Sequence, residues 1–218
     1  MGREALIEIC ELFYSIQGES SYAGYPCFFI RFAGCNLRCT YCDTRYAYEG
    51  DHLFYSTSQI LRELDKYHGV LVEITGGEPL LQKGVYSLLK QLLAAGRLVL
   101  LETNGSVSLE RVPDDVVKIM DMKCPGSGMH EKMVFDNFRF MGPKDEIKFV
   151  ISSREDYNWA KQLVSSYDLH NLTTVTFSPV ISLLPPASLA TWILDDRLRA
   201  RLRLQLHTIL WPDKTKGY

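Results

Sequence analysis

Three cysteines, Cys35, Cys39 and Cys42, stand within the run Gly-Cys-Asn-Leu-Arg-Cys-Thr-Tyr-Cys-Asp-Thr at 34–44. This CxxxCxxC spacing lets a single loop fold its thiolates around one inorganic centre. Three thiolates on a four-iron cluster leave one iron without a protein ligand, and that open position can take a small molecule. Structural zinc is the alternative. Zinc sites usually pair two CxxC knuckles or add histidines, and the next candidates, His52 and His68, are not at zinc-finger spacing. A disulfide would leave one of the three thiols unpaired. From spacing alone, an open iron–sulfur cluster is the reading and zinc the alternative.

Composition narrows the setting. The chain has 218 residues, the size of a single domain (1–218), with a formal net charge of −2 and no long basic run. Sequence-independent binding to nucleic acid is therefore not expected. No stretch approaches the ~20 apolar residues of a membrane span. The first residues, Met-Gly-Arg-Glu-Ala, form no apolar leader, and Leu6 stands where a myristoylation signal has Ser or Thr. A reducing, cytoplasmic setting is expected, and it suits an oxygen-sensitive cluster.

Apolar runs alternate with helix-like runs. Strands are expected at 27–32, 70–75, 98–102, 116–120, 146–151 and 174–177, each short and apolar on both faces, as buried parallel strands are. Helices are expected at 58–67, 85–95, 154–166 and 187–196, the second carrying Val85, Leu88, Leu89, Leu92 and Leu93 and stopping at Gly96. The alternation predicts one α/β domain with a mostly parallel sheet. Five polar or glycine-rich motifs follow these strands: the Cys run, Thr-Gly-Gly-Glu-Pro at 75–79, Glu-Thr-Asn-Gly at 102–105, Asp-Met-Lys-Cys-Pro-Gly-Ser-Gly at 121–128 and Ser-Pro-Val at 178–180. Active sites form at such strand ends in barrels and open parallel sheets.

The CxxxCxxC run followed by Thr-Gly-Gly-Glu-Pro resembles the radical S-adenosylmethionine (SAM) superfamily. Gly76 and Gly77 lack a Cβ, so a ligand can come close to their backbone, and Pro79 can open a helix. A dinucleotide GxGxxG is absent. The resemblance implies a partial, split βα barrel with abbreviated helices, a [4Fe–4S] cluster on Cys35, Cys39 and Cys42, and SAM chelated by the open iron. One electron then cleaves SAM to a 5′-deoxyadenosyl radical. It further implies that Tyr41, Cys42, Asp43, Gly77, Glu78, Asp121, Met122, Lys123, Ser178, Pro179, Val180 and Ile181 line the SAM pocket.

The N-terminal run Ser-Ile-Gln-Gly-Glu at 15–19 narrows the family. Gln17 offers a donor and an acceptor and Glu19 only acceptors, a pair able to read the amide edge of a purine-like or pterin ring, or to form a plain polar turn. With Phe-Ile-Arg-Phe-Ala-Gly-Cys at 29–35, Cys-Asp-Thr at 42–44, Asp-Glu-Ile-Lys-Phe-Val-Ile at 145–151 and Gln-Leu-His at 205–207, the chain resembles the 7-carboxy-7-deazaguanine synthase family. The matches span 13–212, nearly the whole chain. The resemblance implies a lyase that converts 6-carboxy-5,6,7,8-tetrahydropterin to 7-carboxy-7-deazaguanine with loss of ammonia, for queuosine and other 7-deazapurines. Ile16, Gln17, Gly18, Glu19, Thr75, His207 and Pro212 would then contact the substrate, Arg31 would take its carboxylate in a bidentate fork, and Thr44 would bind Mg2+. A homodimer reduced by flavodoxin or ferredoxin is implied as well.

Two departures stand out. Ser20 replaces a glycine of the family's Gln-Gly-Glu-Gly, which matters if that backbone needs a positive φ. Thr208 follows His207 where the family often has Lys, and the chain continues past Pro212, which removes a terminal carboxylate from that point. Cys10 and Cys27 read as small core side chains. Cys124 lies near the site, but a fourth thiolate would block the open iron. Two rival readings remain: an activating enzyme for a glycyl-radical protein, and a non-catalytic iron–sulfur or zinc protein. Changing Cys35, Cys39 or Cys42 to Ala is expected to abolish SAM cleavage and most iron binding, with Cys124→Ala near normal in both. Anaerobic iron and sulfide analysis beside a SAM-cleavage assay checks this; cluster loss in a folded Cys124→Ala variant would overturn the assignment.

Overall fold

The expected alternation runs through the chain from β1 (Leu6–Ile16) and β2 (Pro26–Phe32) to α1 (Tyr46–Glu49), β3 (Leu53–Ser56), α2 (Thr57–Leu64), β4 (Leu71–Gly76) and α3 (Gly84–Ala94). There follow β5 (Val99–Thr103), β6 (Val117–Met122), β7 (Glu146–Ile151), α4 (Arg154–Ser166), α5 (Leu169–Leu172), β8 (Thr174–Pro179), α6 (Pro186–Asp195), β9 (Arg201–Leu202) and α7 (Leu206–Leu210). This is a computed structural model, and it describes residues 6–214, 216 and 217. The Met1–Gly2 terminus and the terminal carboxylate of Tyr218 lie outside the described residues.

One nine-stranded sheet has the order β3-β1-β2-β4-β5-β6-β7-β8-β9. From β2 to β9 every neighbouring pair is parallel, while β1 pairs antiparallel with β2 and β3. Among the described residues β3 and β9 are unpaired on their outer sides, and the sheet does not close into a barrel. All six expected strands form, with ends shifted by one or two residues. β1, β3 and β9 are not among them. β1 alternates, with Ile7 and Ile9 fully buried between polar Glu8 and Cys10, the pattern of an antiparallel strand rather than of a parallel one buried on both faces. No α-helix joins β5 to β6 or β6 to β7; 3-10 turns at Pro125–Ser127, His130–Lys132 and Phe135–Phe140 cover the second gap. These are the abbreviated connections expected.

Strand periodicity gives the sheet two unlike faces. Phe28, Ile30 and Phe32 of β2, Val72 and Ile74 of β4 and Ile147 and Phe149 of β7 enter the large core under the helices. From α3, Val85, Leu88, Leu89 and Leu92 meet them as one stripe, each contributing about 1.5–3 kcal/mol by its burial. Gly96 follows the last turn at φ +70. α2 starts from a reciprocal cap in which Ser56 Oγ accepts from the Gln59 N–H and Gln59 Oε1 from the Ser56 N–H. The opposite face, called here the site face, holds a small apolar floor of Cys27, Phe29, Leu71, Leu100, Val117 and Ile119 at the amino ends of the strands. Further along the same strands the residues turn polar: Arg31, Glu73, Thr75, Glu102, Asp121, Glu146, Lys148, Thr176 and Ser178. Among the described residues no helix is long and apolar enough to cross a membrane.

One buried ion pair sits outside the site. Lys118 Nζ lies 3.2 Å from Asp145 Oδ2, with both side chains at most 4% exposed. Asp145 also accepts from the backbone N–H of Lys118 at 2.8 Å and of Gly142 at 2.8 Å, tying β6 to the turn before β7. Asp145→Ala would strand a buried ammonium, and a loss of about 3–5 kcal/mol is expected. Anaerobic denaturant unfolding beside the parent protein measures it.

Candidate active site

The cysteine loop leaves β2 at Phe32 and folds back over three strand ends. Gly77 N–H donates to Phe32 O at 3.1 Å and Glu78 N–H to Gly34 O at 2.8 Å. Asn104 Nδ2, after β5, donates to Asn36 Oδ1 at 3.2 Å and reaches Cys35 Sγ at 3.8 Å. Thr40 N–H donates to Ser127 O at 3.1 Å and its hydroxyl to Gly126 O at 2.8 Å, after β6. Glycine is required where the loop meets β4. A Cβ on Gly76, at φ +145, would lie 2.2 Å from Phe32 O, and one on Gly77 2.2 Å from Gly34 O and 2.7 Å from Cys35 Cβ.

Cys35, Cys39 and Cys42 are free and partly exposed. Burial raises the proton affinity of the Cys39 and Cys42 thiols, against the pull of Lys123 on Cys39 and of the Thr44 N–H on Cys42. Among the described residues no three His, Cys, Asp or Glu side chains are arranged to hold a single metal ion. The Leu37 N–H donates to Cys35 Sγ at 3.4 Å, as amides do to cluster sulfurs. Cys124 is fully buried on the core side, with its thiol toward Met122 O at 3.9 Å, and burial pushes its proton affinity well up.

Glu78 is fully buried and its carboxylate is taken by protein donors: Leu80 N–H at 3.0 Å, Thr103 Oγ1 at 2.9 and 3.0 Å, and Asn104 N–H at 2.7 Å. It locks the Thr-Gly-Gly-Glu-Pro turn to the Glu-Thr-Asn-Gly turn, so its side chain acts as framework for the segment that carries Gly77. Pro79 opens a 3-10 turn, Pro79–Leu81, at its first position. Tyr41 Oη donates to Val150 O at 3.2 Å. Met122 is fully buried toward the core. Pro179 ends β8 opposite Ile151, Val180 N–H donates to Ile151 O at 2.8 Å, and Ile181 is exposed. Two buried polar atoms at this strand edge, Asp121 Oδ1 and Ser178 Oγ, have no hydrogen-bond partner among the described residues. Orphaned acceptors and donors of this kind call for a polar ligand, and the SAM segment expected here includes both residues.

Lys148 is the centre of the site face. Its ammonium, 4% exposed, lies 2.7 Å from Glu19 Oε2, 2.5 Å from Glu102 Oε1 and 3.5 Å from Asp121 Oδ2. Lys123 meets Asp121 at 2.8 Å, and Thr75 Oγ1 donates to Glu102 at 3.3 Å. Burial works against the Lys148 charge, but Glu102, Glu19 and Asp121 outweigh it and hold the ammonium protonated well above its usual range. Burial likewise works to raise Glu19 and Asp121; Lys148 with His207 at Glu19, and Lys123 with Lys148 at Asp121, leave both carboxyls below the usual range. The sequence motifs contained Lys148 and Glu102 without giving either a role. The available signal was a lysine in the apolar run Glu-Ile-Lys-Phe-Val-Ile.

The loop after β1 crosses this face and is pinned at alternate residues. Gln17 Nε2 donates to Glu73. Glu19 meets Lys148 and accepts from Gln205 Nε2 at 2.9 Å. Ser21 donates to Glu146 through N–H at 2.8 Å and Oγ at 2.6 Å. Gln17 Oε1 accepts from the N–H groups of Glu19 at 2.6 Å and Ser20 at 3.2 Å, so both ends of its carboxamide are held by protein. The donor and acceptor expected to meet a ligand have protein partners instead, the donor on β4 and the acceptor within the loop. Ile16 ends β1 opposite Pro26. Ser20 keeps an ordinary φ: the non-glycine residues at positive φ among those described are Asp168 and Arg197. Gly18 O accepts from Leu206 N–H at 3.0 Å, and a Cβ on Gly18 would lie 3.1 Å from His207 Nδ1. His207 Nδ1 stands 3.8 Å from Glu19; Pro212 is exposed beyond α7. Arg31 gives Nε to Glu11 at 2.7 Å and lies over the Phe13 ring at 5.5 Å, which leaves the outer nitrogens of its fork without a hydrogen bond among the described residues. Thr44 Oγ1 donates to Asp43 at 2.7 Å.

Residues 29–124 match the Radical SAM superfamily. A 7-carboxy-7-deazaguanine synthase from Koribacter versatilis is 44% identical over 226 residues, covering 97% of this chain and 100% of the relative. The synthase from Chlorobaculum tepidum is 42% identical, with 100% of both chains covered. This chain belongs to the 7-carboxy-7-deazaguanine synthase family. It is a radical SAM lyase of 7-deazapurine biosynthesis, and that membership replaces the two rival readings. The crystal structure of QueE from Escherichia coli shares the fold, with a TM-score of 0.76 at 21% identity over 92% of this chain and 94% of that one. Within the family frame the thiol loop and the orphaned strand-edge atoms fit a cluster with SAM beside it.

Lys148→Met leaves Glu19, Glu102 and Asp121 facing one another. The loss of stability is expected to reach about 3–5 kcal/mol at neutral pH. Its pH dependence should also change. In the parent protein, Glu19 and Asp121 ionise below their unfolded values of 4.5 and 3.8, so their contribution fades only as pH falls beneath that range. In the variant the crowded carboxyls bind protons more tightly when folded, which adds to the slope that buried Glu73 and Glu78 already give the parent, so stability falls more steeply as pH rises from about 5 to 8. Unfolding midpoints of both proteins across this interval compare the slopes.

Proposed function

We propose that this enzyme converts 6-carboxy-5,6,7,8-tetrahydropterin to 7-carboxy-7-deazaguanine with release of ammonia. The observation that carries the reading is the site face itself: an acid-rich surface beside the thiol loop, with the fork of Arg31 open at one side. When bound, a [4Fe–4S] cluster and SAM supply a deoxyadenosyl radical able to take hydrogen from carbon. Cys35, Cys39 and Cys42 hold that cluster. The backbone at Tyr41, Cys42, Asp43, Gly77 and Glu78, with Asp121, Met122, Lys123 and Ser178 through Ile181, forms the SAM side.

The chain's own groups position the pterin. Arg31 takes its carboxylate through two N–H groups, and the Phe13 ring beneath supports the guanidinium. Ile16, Gln17 and Gly18 offer backbone to the heterocycle, Glu19 accepts from its N–H edge, Thr75 lines the floor, and His207 and Pro212 close the C-terminal side. Thr44 with Asp43 is the Mg2+ position; magnesium binds few protein groups and keeps waters or substrate oxygens for the rest. A cytoplasmic homodimer reduced by flavodoxin or ferredoxin completes the reading, on family resemblance.

Anaerobic incubation of reconstituted enzyme with SAM, reductant and the pterin, followed by product analysis, tests the activity. Arg31→Met should weaken binding of the carboxylated pterin at least tenfold, since a lost hydrogen bond to a charged group costs about 1.5–3 kcal/mol. An analogue without the carboxylate should bind both proteins alike. Equal losses for the two ligands would make Arg31 a structural residue.

A further inference from the structure

Glu73 is 2% exposed, sits on β4 above the apolar floor, and pairs across the sheet with Phe29 and Leu100. Its carboxylate accepts one hydrogen bond among the described residues, from Gln17 Nε2. A buried acid with a single partner is unfavourable: burial, then the charges of Glu102 and Glu19, raise its proton affinity well above the usual range, with the Gln17 bond and Lys148 opposing. The framework needs no acid here, since the neighbours below, Cys27, Phe29, Leu71 and Leu100, are apolar. What Glu73 reaches is the loop. Gln17 is 3% exposed and passes the constraint on, its Oε1 holding the Glu19 and Ser20 N–H groups at 2.6 and 3.2 Å. Ser21, held by Glu146, anchors the other end of the same segment.

We propose that Glu73 is a positioning residue for the pterin: acting through the Gln17 carboxamide, it sets how deep the 17–21 loop lies and so where Glu19 and the loop backbone meet the heterocycle. The Gln17 side chain is a strut rather than a reader of the ligand. This inference rests on the pterin reading above. Geometry gives it a distinctive signature. An acid and an amide can exchange places across this contact. Glu at position 17 can still accept from the two loop N–H groups with one oxygen and from the Nε2 of a Gln at position 73 with the other.

Three reconstituted holoenzymes decide it: Glu73→Leu, Gln17→Glu, and the exchange variant Glu73→Gln/Gln17→Glu. Glu73→Leu suits the apolar floor and should keep its iron content and its SAM affinity within about twofold, while KM for the pterin rises about tenfold or more, the effect of one unmade buried hydrogen bond. Gln17→Glu alone faces Glu73 with a second acid and should be at least as impaired. In the exchange variant KM should return to within about threefold of the parent. Backbone hydrogen exchange at residues 18–21 should follow the same order, faster in both single variants and restored in the exchange. The proposal is overturned if Glu73→Leu leaves both KM and loop exchange unchanged. It is also overturned if the exchange variant stays as impaired as the single ones, because Gln17 or Glu73 would then be touching the pterin directly. Failure of the parent enzyme to turn over the pterin would count against the substrate reading alone, and loop exchange would still decide the strut.

Discussion

A buried ammonium organises this protein. Lys148 leaves β7 on the face opposite the large core, where an unpaired buried charge would be prohibitive. It is satisfied only because Glu19 arrives from the β1–β2 loop, Glu102 from β5 and Asp121 from β6. None of these is near Lys148 in sequence. Their meeting draws the carboxyl ends of three parallel strands and the N-terminal loop into one charged layer. Asp121 then shares its carboxylate with Lys123, whose ammonium in turn faces the cysteines. The N-terminal loop and the cysteine loop are therefore linked through a short chain of ion pairs rather than built independently.

The second constraint is steric. The cysteine loop can lie against β4 only where Gly76 and Gly77 present bare backbone, since a Cβ on either would stand 2.2 Å from a carbonyl oxygen. Glu78 then fixes that turn by accepting from the next one, at Thr103 and Asn104. Three motifs that look separate in the chain form one hydrogen-bonded unit. Gln82 extends it to β1, donating to Glu8 O at 2.8 Å and Ala33 O at 3.0 Å. The acid of Thr-Gly-Gly-Glu-Pro serves the backbone, and the glycines serve the approach of the thiol loop.

Much of the fold was legible because buried parallel strands leave a plain signature. The runs at 146–151 and 154–166 appear in the structure as expected. β1 was less visible because its apolar residues alternate, and β9 is only two residues long. Among site residues, the cysteines, the glycines and Arg31 could be named from their motifs. Lys148, Glu102 and Glu73 could not be given roles, because a charged residue inside an apolar run declares only that it needs partners, not which ones.

The sequence by itself determined the chemistry on offer: three thiols at cluster spacing, glycines where backbone must pass close, and acids placed at alternate strand positions. Local spacing suffices there, since ligands within eight residues need only one loop. The tertiary structure alone decided how those groups are used. It spent the Gln17 carboxamide on Glu73 and its own loop, turned Glu78 into framework, and left Asp121 and Ser178 with unpartnered atoms at the strand edge. The physical reason is that hydrogen-bond capacity is finite, and whether a polar group faces a ligand depends on which distant strand has already claimed it.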